Sequence, residues 1–192
     1  VGALFHDIGK MATPHYFIEN QIPGQDNPHD QISPLNSSKV IQNHVVEGVE
    51  LAKEFHLPKQ IQTFILEHHG TTITRYQYVK AVQEAGDPSQ VAKEEFQYPG
   101  PAPTSRETAI VMMADGCEAR FRAELPQDED SLRDLIKSQF EHARKAEQLR
   151  FTHLSLIDIE TIQDTFVRTL KNMQHLRIKY PKLEETTGAA SE

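Results

Sequence analysis

The chain has 192 residues, of which 38% are hydrophobic and 25% are charged, so it is long enough to form one domain with a buried core. Its net charge of −8 argues against a nonspecific nucleic-acid binder, although a local cation can still attract a compact anion. The single cysteine, Cys117, excludes an internal disulfide framework, and the longest apolar run, residues 109–114, is too short to cross a membrane.

Apolar residues recur at steps of three and four along most of the chain, which is the spacing of helices with one buried face. No segment has the alternation or the apolar run of a convincing strand, so we expect an all-α fold. In chain order, the predicted helices cover residues 1–8, 39–55, 58–69, 75–85, 104–123, 128 or 130 to 149, and a last helix from about residue 155.

Residues 11–34 are rich in Pro, Gly, Asn and Asp and predict a long loop, which in a compact domain is usually functional or disordered. The predicted helix ends rest on local signals: Gly9, Gly70 and Gly86 as stops, Thr104-x-x-Glu107 as a capping box, and Ser155-x-x-Asp158 as a similar cap.

The chain begins at Val1 inside an apolar segment with no cap before it, so we interpret it as a fragment of a longer protein. Residues 1–180 are expected to form one domain. Residues 181–192 are small and polar and predict a frayed tail.

Histidines and carboxylates at helix ends and on apolar faces are the candidate functional groups. His6-Asp7 ends the first helix, and an imidazole with a carboxylate suits a divalent metal, although a solvated pair would look the same. His44 lies on the apolar face of its helix, one turn before Gly48, whose missing side chain leaves room beside the ring. A core histidine bonded to a backbone carbonyl is the alternative for His44.

Two further positions belong to this set. His68-His69 ends the third helix, where the rings are either metal ligands or cations favoured by the helix dipole. Asp115 interrupts the apolar segment AIVMMADGCEA, and a buried carboxylate there needs a cation or strong donors; a surface position is the alternative.

Together these residues come from four helices, and facing helices of bundles build dinuclear metal sites in this way. The set exceeds what one tetrahedral zinc needs and suits two metals that share a carboxylate. Cys117 is more simply a small core residue. The six candidate ligands are His6, Asp7, His44, His68, His69 and Asp115.

Four segments resemble the HD-domain metal-dependent phosphohydrolases: HDIGK at residues 6–10, His44 in NHVVEGVELA, EHHG at 67–70 and MMADGCEA around Asp115. The resemblance implies an all-α HD-domain helical bundle. FIENQ, NPHD, EHHGTT, EEFQYPGPAP and ETAIVMMADGCEA resemble one subfamily more narrowly. This is the cytoplasmic HD domain of bacterial seven-transmembrane phosphodiesterases that hydrolyse cyclic di-AMP to the linear dinucleotide pApA.

The resemblance extends from residue 2 to about residue 180 and implies two iron or manganese ions. His6, Asp7 and Asp115 would hold one ion, and Asp7 would bridge to the second. His44, His68 and His69 would complete the second ion's ligands. The family also has an earlier histidine that is absent from this chain.

Substrate contacts are expected from the same part of the sequence. Lys10, one turn beyond His6-Asp7, is a candidate phosphate contact that would act in catalysis with Asp7, although a solvated lysine is as consistent with its position. Asn20, Asn27 and Tyr76 have side chains suited to bond or stack on adenine.

The resemblance further implies a small-molecule substrate rather than a nucleic-acid polymer. It also implies attachment to a transmembrane region at the cytoplasmic face of a bacterial membrane; a homodimer is left open. The alternatives are another HD-fold enzyme (a nucleotide phosphohydrolase or a di-iron oxygenase), a cyclic di-GMP phosphodiesterase and a non-catalytic sensor. Cyclic di-GMP ranks lower because HHG continues into Thr71-Thr72-Ile73 without a Gly-Tyr-Pro element. A pure sensor has no need of all six ligands.

Overall fold

The computed structural model describes residues 1–22, 24 and 26–175, so the tail predicted over residues 181–192 lies outside the described residues. Within these ranges the chain contains helices and no strand, which confirms the all-α prediction. The α-helices are α1 (Gly2–Phe5), α2 (Pro34–Glu54), α3 (Lys59–Glu67), α4 (Arg75–Ala85), α5 (Arg106–Glu124), α6 (Glu129–Lys145) and α7 (Leu156–His175).

Short 3-10 helices fill much of the connecting chain. The predicted long loop contains three of them, at Pro14–Tyr16, Ile18–Asn20 and Pro28–Gln31, and a fourth at Ile8–Met11 follows α1. Pro88–Gln90 and Lys93–Phe96 lie between α4 and α5. No helix in the described ranges is both long and apolar enough to span a bilayer.

The apolar core lies between α5, α6 and α7, and burial of its side chains is the main stabilising contribution in this half of the molecule. Cys117 is 1% exposed and belongs to this core, as predicted. In α7, Val167 and Leu170 are buried in this core and Phe166 packs against it, whereas Met173 is 44% exposed. The core residues are Met113, Cys117, Phe121, Leu132, Leu135, Ile136, Phe140, Ala143, Val167 and Leu170.

The second half of the molecule is built around α2, which contacts the segment Ile8–Met11, α3 and α4. Helix α3 also packs against α1 and α5. Helix α3 therefore joins the half that contains the first turn of the chain to the half that contains the apolar core.

The start of α2 differs from the prediction by five residues. The helix begins at Pro34, because the Ser33 hydroxyl accepts a hydrogen bond from the Asn36 N–H and a proline is tolerated in the first turn. In the sequence, these residues belong to a proline-rich stretch that is typical of a loop.

The capping box predicted at Thr104-x-x-Glu107 is wrong. Ser105 caps α5 and exchanges hydrogen bonds with Thr108. The Thr104 N–H and hydroxyl instead donate to the two carboxylate oxygens of Glu67, at 2.9 and 2.7 Å. Because Thr104 bonds to Glu67, which is distant in the sequence, the hydroxyl of Ser105 caps the helix instead.

Two other caps are confirmed. Asp128 accepts from the Ser131 N–H at 2.7 Å and starts α6, which ends at Lys145 rather than at the predicted residue 149. Ser155 donates its N–H to Asp158 at 2.9 Å and accepts from the Asp158 N–H at 3.1 Å at the start of α7.

Two glycines have a different role from the predicted one. Gly9 does not stop a helix, since α1 already ends at Phe5 and Gly9 lies within Ile8–Met11. A Cβ on Gly9 would overlap the carbonyl oxygen of His44, and a Cβ on Gly48 would lie 2.8 Å from a methyl group of Ile65. The space beside Gly48 is therefore filled by Ile65 and Gly9 instead of being open, and both glycines let neighbouring segments pack closely.

Candidate metal centre

The six candidate ligands converge from four places in the fold. His6 and Asp7 lie in the turn after α1, and His44 lies in α2. His68 and His69 follow directly after α3, and Asp115 lies in α5. Their ligand-type atoms form two groups, each with all atoms within 4.8 Å of one another: Asp7, His44, His68 and His69 in one, and His6, Asp7 and Asp115 in the other.

Asp7 belongs to both groups because its two oxygens face different partners. Oδ1 lies 3.4 Å from Nε2 of both His44 and His68. Oδ2 lies 3.1 Å from Nε2 of His6. Asp115 faces the same side of the cluster, with Oδ1 3.8 Å from His6 Nε2 and Oδ2 3.6 Å from His69 Nδ1.

Three of the imidazoles are oriented by their own helical turns. Nδ1 of His6, His44 and His68 lies 2.7, 2.5 and 2.8 Å from the carbonyl oxygen three residues earlier. A carbonyl only accepts, so Nδ1 of each ring donates to it, which leaves Nε2 directed at the cluster. Nε2 of His44 and Nε2 of His68 face each other at 3.0 Å.

In the group formed by Asp7, His44, His68 and His69, the pKa shifts of three residues favour the protonation state that binds metals. Burial lowers the pKa of His68 and, more strongly, of His69, so both rings stay neutral at pH 7. Burial alone would raise the pKa of Asp7, but the surrounding imidazoles and the charge of Lys10 hold it well below its ordinary value.

The group formed by His6, Asp7 and Asp115 attracts positive charge. Burial by itself would lower the pKa of His6, but the carboxylates of Asp115 and Asp7 raise it to about 10. His6 Nε2 and Asp7 Oδ1 are nevertheless buried without a hydrogen-bond partner among the described residues. Buried polar atoms without partners are rare. His6 Nε2 faces one ligand group and Asp7 Oδ1 the other, so a cation in each group would satisfy them.

The donor set contains imidazole nitrogens and carboxylate oxygens and no thiolate. This combination suits first-row divalent ions such as iron, manganese or zinc. With this donor set and two buried atoms that lack partners among the described residues, the residues present fit bound divalent metal.

A sequence model of the HD domain family matches residues 1–120, which include all six of these residues. The chain belongs to the HD domain family. HD domains are metal-dependent, and this HD domain has a histidine and aspartate group that could bind metal. The HD-domain fold expected from the sequence is confirmed.

Two characterised relatives carry the same name. The chain is 38% identical to the cyclic-di-AMP phosphodiesterase PgpH of Bacillus subtilis over 95% of its own length, and 25% of that protein is covered. It is 36% identical to the PgpH of Listeria monocytogenes over 94% of its own length, again covering 25% of the relative. The chain thus spans about a quarter of the length of these curated relatives.

A solved structure extends the similarity to the fold. The HD domain of L. monocytogenes PgpH in complex with cyclic-di-AMP superimposes with a TM-score of 0.83 at 34% identity. The match covers 90% of this chain and 78% of that one. The shared architecture therefore includes nearly all of the HD domain described above.

Lys10 lies at the edge of the cluster. Its Nζ is 2.8 Å from Asp7 Oδ2 and 2.6 Å from Glu19 Oε1, and it sits 5.2 Å from the centre of the Phe17 ring. Burial alone would lower its pKa, but the two carboxylates raise it above its ordinary value, so Lys10 is charged. A phosphate contact for Lys10 stays a prediction.

The predicted adenine contacts lie farther out. Asn27 Oδ1 accepts hydrogen bonds from the His29 N–H and from Gln21 Nε2, so it is occupied within the loop. Asn20 is exposed, and Tyr76 is 71% exposed in the first turn of α4. Among these described residues, none lines the two cavities that open at the cluster, and their roles stay predictions.

Tyr98 is a residue of the site that the sequence analysis did not single out. Its ring stacks on His69 with centroids 4.1 Å apart and an angle of 21°. Its N–H donates to the Thr72 carbonyl at 2.8 Å, and a Cβ on Gly100 would overlap the Leu66 carbonyl oxygen, so the YPGP segment packs closely on the end of α3. YPGP was a visible motif, but no local signal predicts contact with a histidine 29 residues earlier.

Proposed function

We propose that this HD domain is a metal-dependent phosphodiesterase that hydrolyses cyclic di-AMP to linear pApA. The carrying observation is the pair of ligand groups that share Asp7, since phosphodiester hydrolysis suits a site of two adjacent cations. The cyclic di-AMP named for the PgpH relatives, and bound in the PgpH HD domain of L. monocytogenes, supports the choice of substrate.

In this proposal His6, Asp7 and Asp115 hold one iron or manganese ion. Asp7 is shared with a second ion, whose other ligands are His44, His68 and His69. Divalent ions supply a nucleophile from water at neutral pH and neutralise charge on the phosphoryl oxygens.

The residues of the chain position these groups. The carbonyl oxygens that accept from Nδ1 hold three rings with Nε2 directed inward, and Tyr98 packs against the face of His69. Lys10 holds a positive charge beside Asp7 and Glu19, where its ammonium can also donate to an oxygen of the substrate phosphate. Positioning of this kind is the main task of a protein in phosphoryl transfer.

The decisive experiment combines metal analysis with turnover. Protein depleted of metal and reloaded with iron or with manganese should regain activity, and kcat/KM should be measured for cyclic di-AMP and cyclic di-GMP at equal loading. A base-reading site leaves buried groups unpaired with the wrong base, so we expect a preference for cyclic di-AMP of about tenfold or more.

Each other outcome selects an alternative. Equal kcat/KM values would reduce the proposal to a general HD-domain phosphodiesterase. Preference for cyclic di-GMP would make that dinucleotide the substrate. Binding of cyclic di-AMP without turnover in the metal-loaded protein would make the domain a sensor.

The cellular setting is a separate part of the proposal. We expect the domain to be attached to a transmembrane region at the cytoplasmic face of the bacterial membrane, and it acts on a small molecule rather than on a nucleic-acid polymer. Fractionation of cells that express the full-length protein tests the attachment, and light scattering of the purified domain tests whether it forms a homodimer.

A further inference from the structure

A cavity of about 500 Å³ opens beside the metal ligands and extends away from them along α5 and α6. His68, His69 and Asp115 form its inner end, and Arg75, at the start of α4, lines it together with His142 of α6. This volume is in the range of small-molecule sites. The cavity thus continues from the proposed reaction centre into a region with no assigned role.

Two arginines, Arg75 and Arg120, line the outer end of this cavity, although the chain as a whole carries −8. Arg75, Arg120 and His142 line the same cavity, and burial together with the two guanidinium charges lowers the pKa of His142. Arg120 is already bonded to Glu124 at 2.7 Å and to Ser138 at 3.4 Å. Arg75 has no hydrogen bond or ion pair from its side chain within the described ranges, so its charge is available to a ligand.

Hydrogen-bond donors accompany the charge. The Gln139 side chain lines the cavity next to Gly116, and a Cβ on Gly116 would lie 2.5 Å from Gln139 Nε2. The glycine after Asp115 therefore gives this amide its place beside the cluster. Like Arg75, the amide has no hydrogen bond to any other described residue.

The start of α4 adds backbone donors at the same place. The Thr74 hydroxyl does not cap the helix, because it is bonded to Ser38 at 2.6 Å and to the Phe96 carbonyl at 3.3 Å. The first N–H groups of a helix have no partner within the helix and are favourable neighbours for an anion.

A cyclic dinucleotide carries two phosphates, and only one of them can be at the metal ligands during cleavage. We propose that the second phosphate of the substrate binds at the outer end of this cavity, where Arg75 and His142 contact it. The inference rests on the proposed function. It assigns Arg75 to binding of a two-phosphate substrate and not to cleavage itself.

The test compares substrates with one and with two phosphates in the metal-loaded protein. Arg75→Gln should lower kcat/KM for cyclic di-AMP about tenfold, because a hydrogen bond between charged groups is lost. The loss should be mainly in KM, since the contact binds the ground state and the transition state alike. Hydrolysis of bis(4-nitrophenyl) phosphate, a diester with a single phosphate, should not change.

Controls separate this role from general charge and from folding. Arg144→Gln removes one arginine from an exposed position of α6 where it pairs with Glu141, and should leave both substrates unaffected. Arg75→Lys should recover part of the lost kcat/KM, because it restores the charge without the fork of donors. The difference between wild type and Arg75→Gln should shrink at high salt.

Three outcomes would overturn the inference. Unchanged kcat/KM for cyclic di-AMP in Arg75→Gln would contradict it while the proposed function stands. An equal loss with both substrates would show that Arg75 supports the fold or the reaction centre instead. A wild-type protein that cleaves bis(4-nitrophenyl) phosphate but not cyclic di-AMP would remove the proposed function, and the inference with it.

Discussion

The two faces of α5 have opposite character. On one face, Met113, Cys117 and Phe121 are buried in the apolar core with α6 and α7. On the other, Asp115 meets His6 and His69 in a cluster where two buried atoms, His6 Nε2 and Asp7 Oδ1, lack hydrogen-bond partners among the described residues. Apolar burial stabilises the fold, whereas unpaired buried polar atoms cost stability until a cation joins them. Substitutions on the two sides should therefore affect different properties.

The largest expected effect is the loss of activity in Asp7→Ala. Removing a ligand's outer support typically costs 10- to 100-fold in metal affinity or activity, so loss of the shared carboxylate should cost more than about 100-fold. Metal content and turnover should fall together while the circular dichroism of the helices is retained. Asp134→Ala, on the exposed side of α6, is the matched control and should change neither. A variant with two bound ions and a normal rate would exclude Asp7 as the shared ligand.

Ile136→Ala, in the apolar core, should have the opposite effect: it should lower stability and leave metal content and activity unchanged. Ile136 is 0% exposed, and a truncation of this kind costs about 2–5 kcal/mol of the free energy of unfolding. Urea unfolding should show this loss, while metal content and kcat at 25 °C stay near those of the wild type. Leu156→Ala removes a side chain that is 78% exposed and should change stability little. Loss of metal in Ile136→Ala would mean that the two faces are not independent.

Gly9→Ala should affect both properties, because Gly9 packs against the helix that carries His44. The added Cβ overlaps the His44 carbonyl oxygen, and overpacking of this kind costs about 1–3 kcal/mol. Since the segment that moves also carries Asp7, metal content should fall as well. Gly24→Ala is the comparison: its φ of 89° carries a strain of about 1–2 kcal/mol, but nothing lies within 4 Å of the new atom. Its metal content should be normal.

The smallest effect is expected at the start of α5. Ser105→Ala removes the cap and should cost about 1 kcal/mol in urea unfolding, whereas Ser105→Gly should cost only a few tenths. Neither variant should alter metal content, because the cap lies ten residues from Asp115. Equal stability of wild type and Ser105→Ala would show that the helix start is held by the Thr104–Glu67 contact alone.

The helices were predictable where their signals are local. Helix α4 has the predicted bounds, and it ends at Gly86, whose φ of 75° suits glycine. The start of α5 could not be predicted from local signals, because two adjacent hydroxyl residues, Thr104 and Ser105, can both cap a helix. The choice depends on Glu67, which is distant in the sequence.

The residues of the candidate site also divide into those that the sequence predicts and those that it does not. The six candidate ligands could be named from the sequence because histidines and carboxylates at helix ends and on apolar faces are chemically conspicuous, and the structure brings them together. Tyr98 and Arg75 could not, since a tyrosine and an arginine are ordinary in any loop or helix start. Only the packing of α3, α4 and α5 shows what they contact.

The bonds from three histidines to carbonyl oxygens of their own turns have a consequence for metal exchange. Each ring takes its orientation from a segment of only four residues, so the chain loses little conformational freedom when an ion arrives. We therefore expect the protein to have the same shape with and without a bound ion. On this basis an ion that is stripped away should be replaced without refolding, and we expect the rate of reloading to depend on the ion's entry and not on rearrangement of the chain.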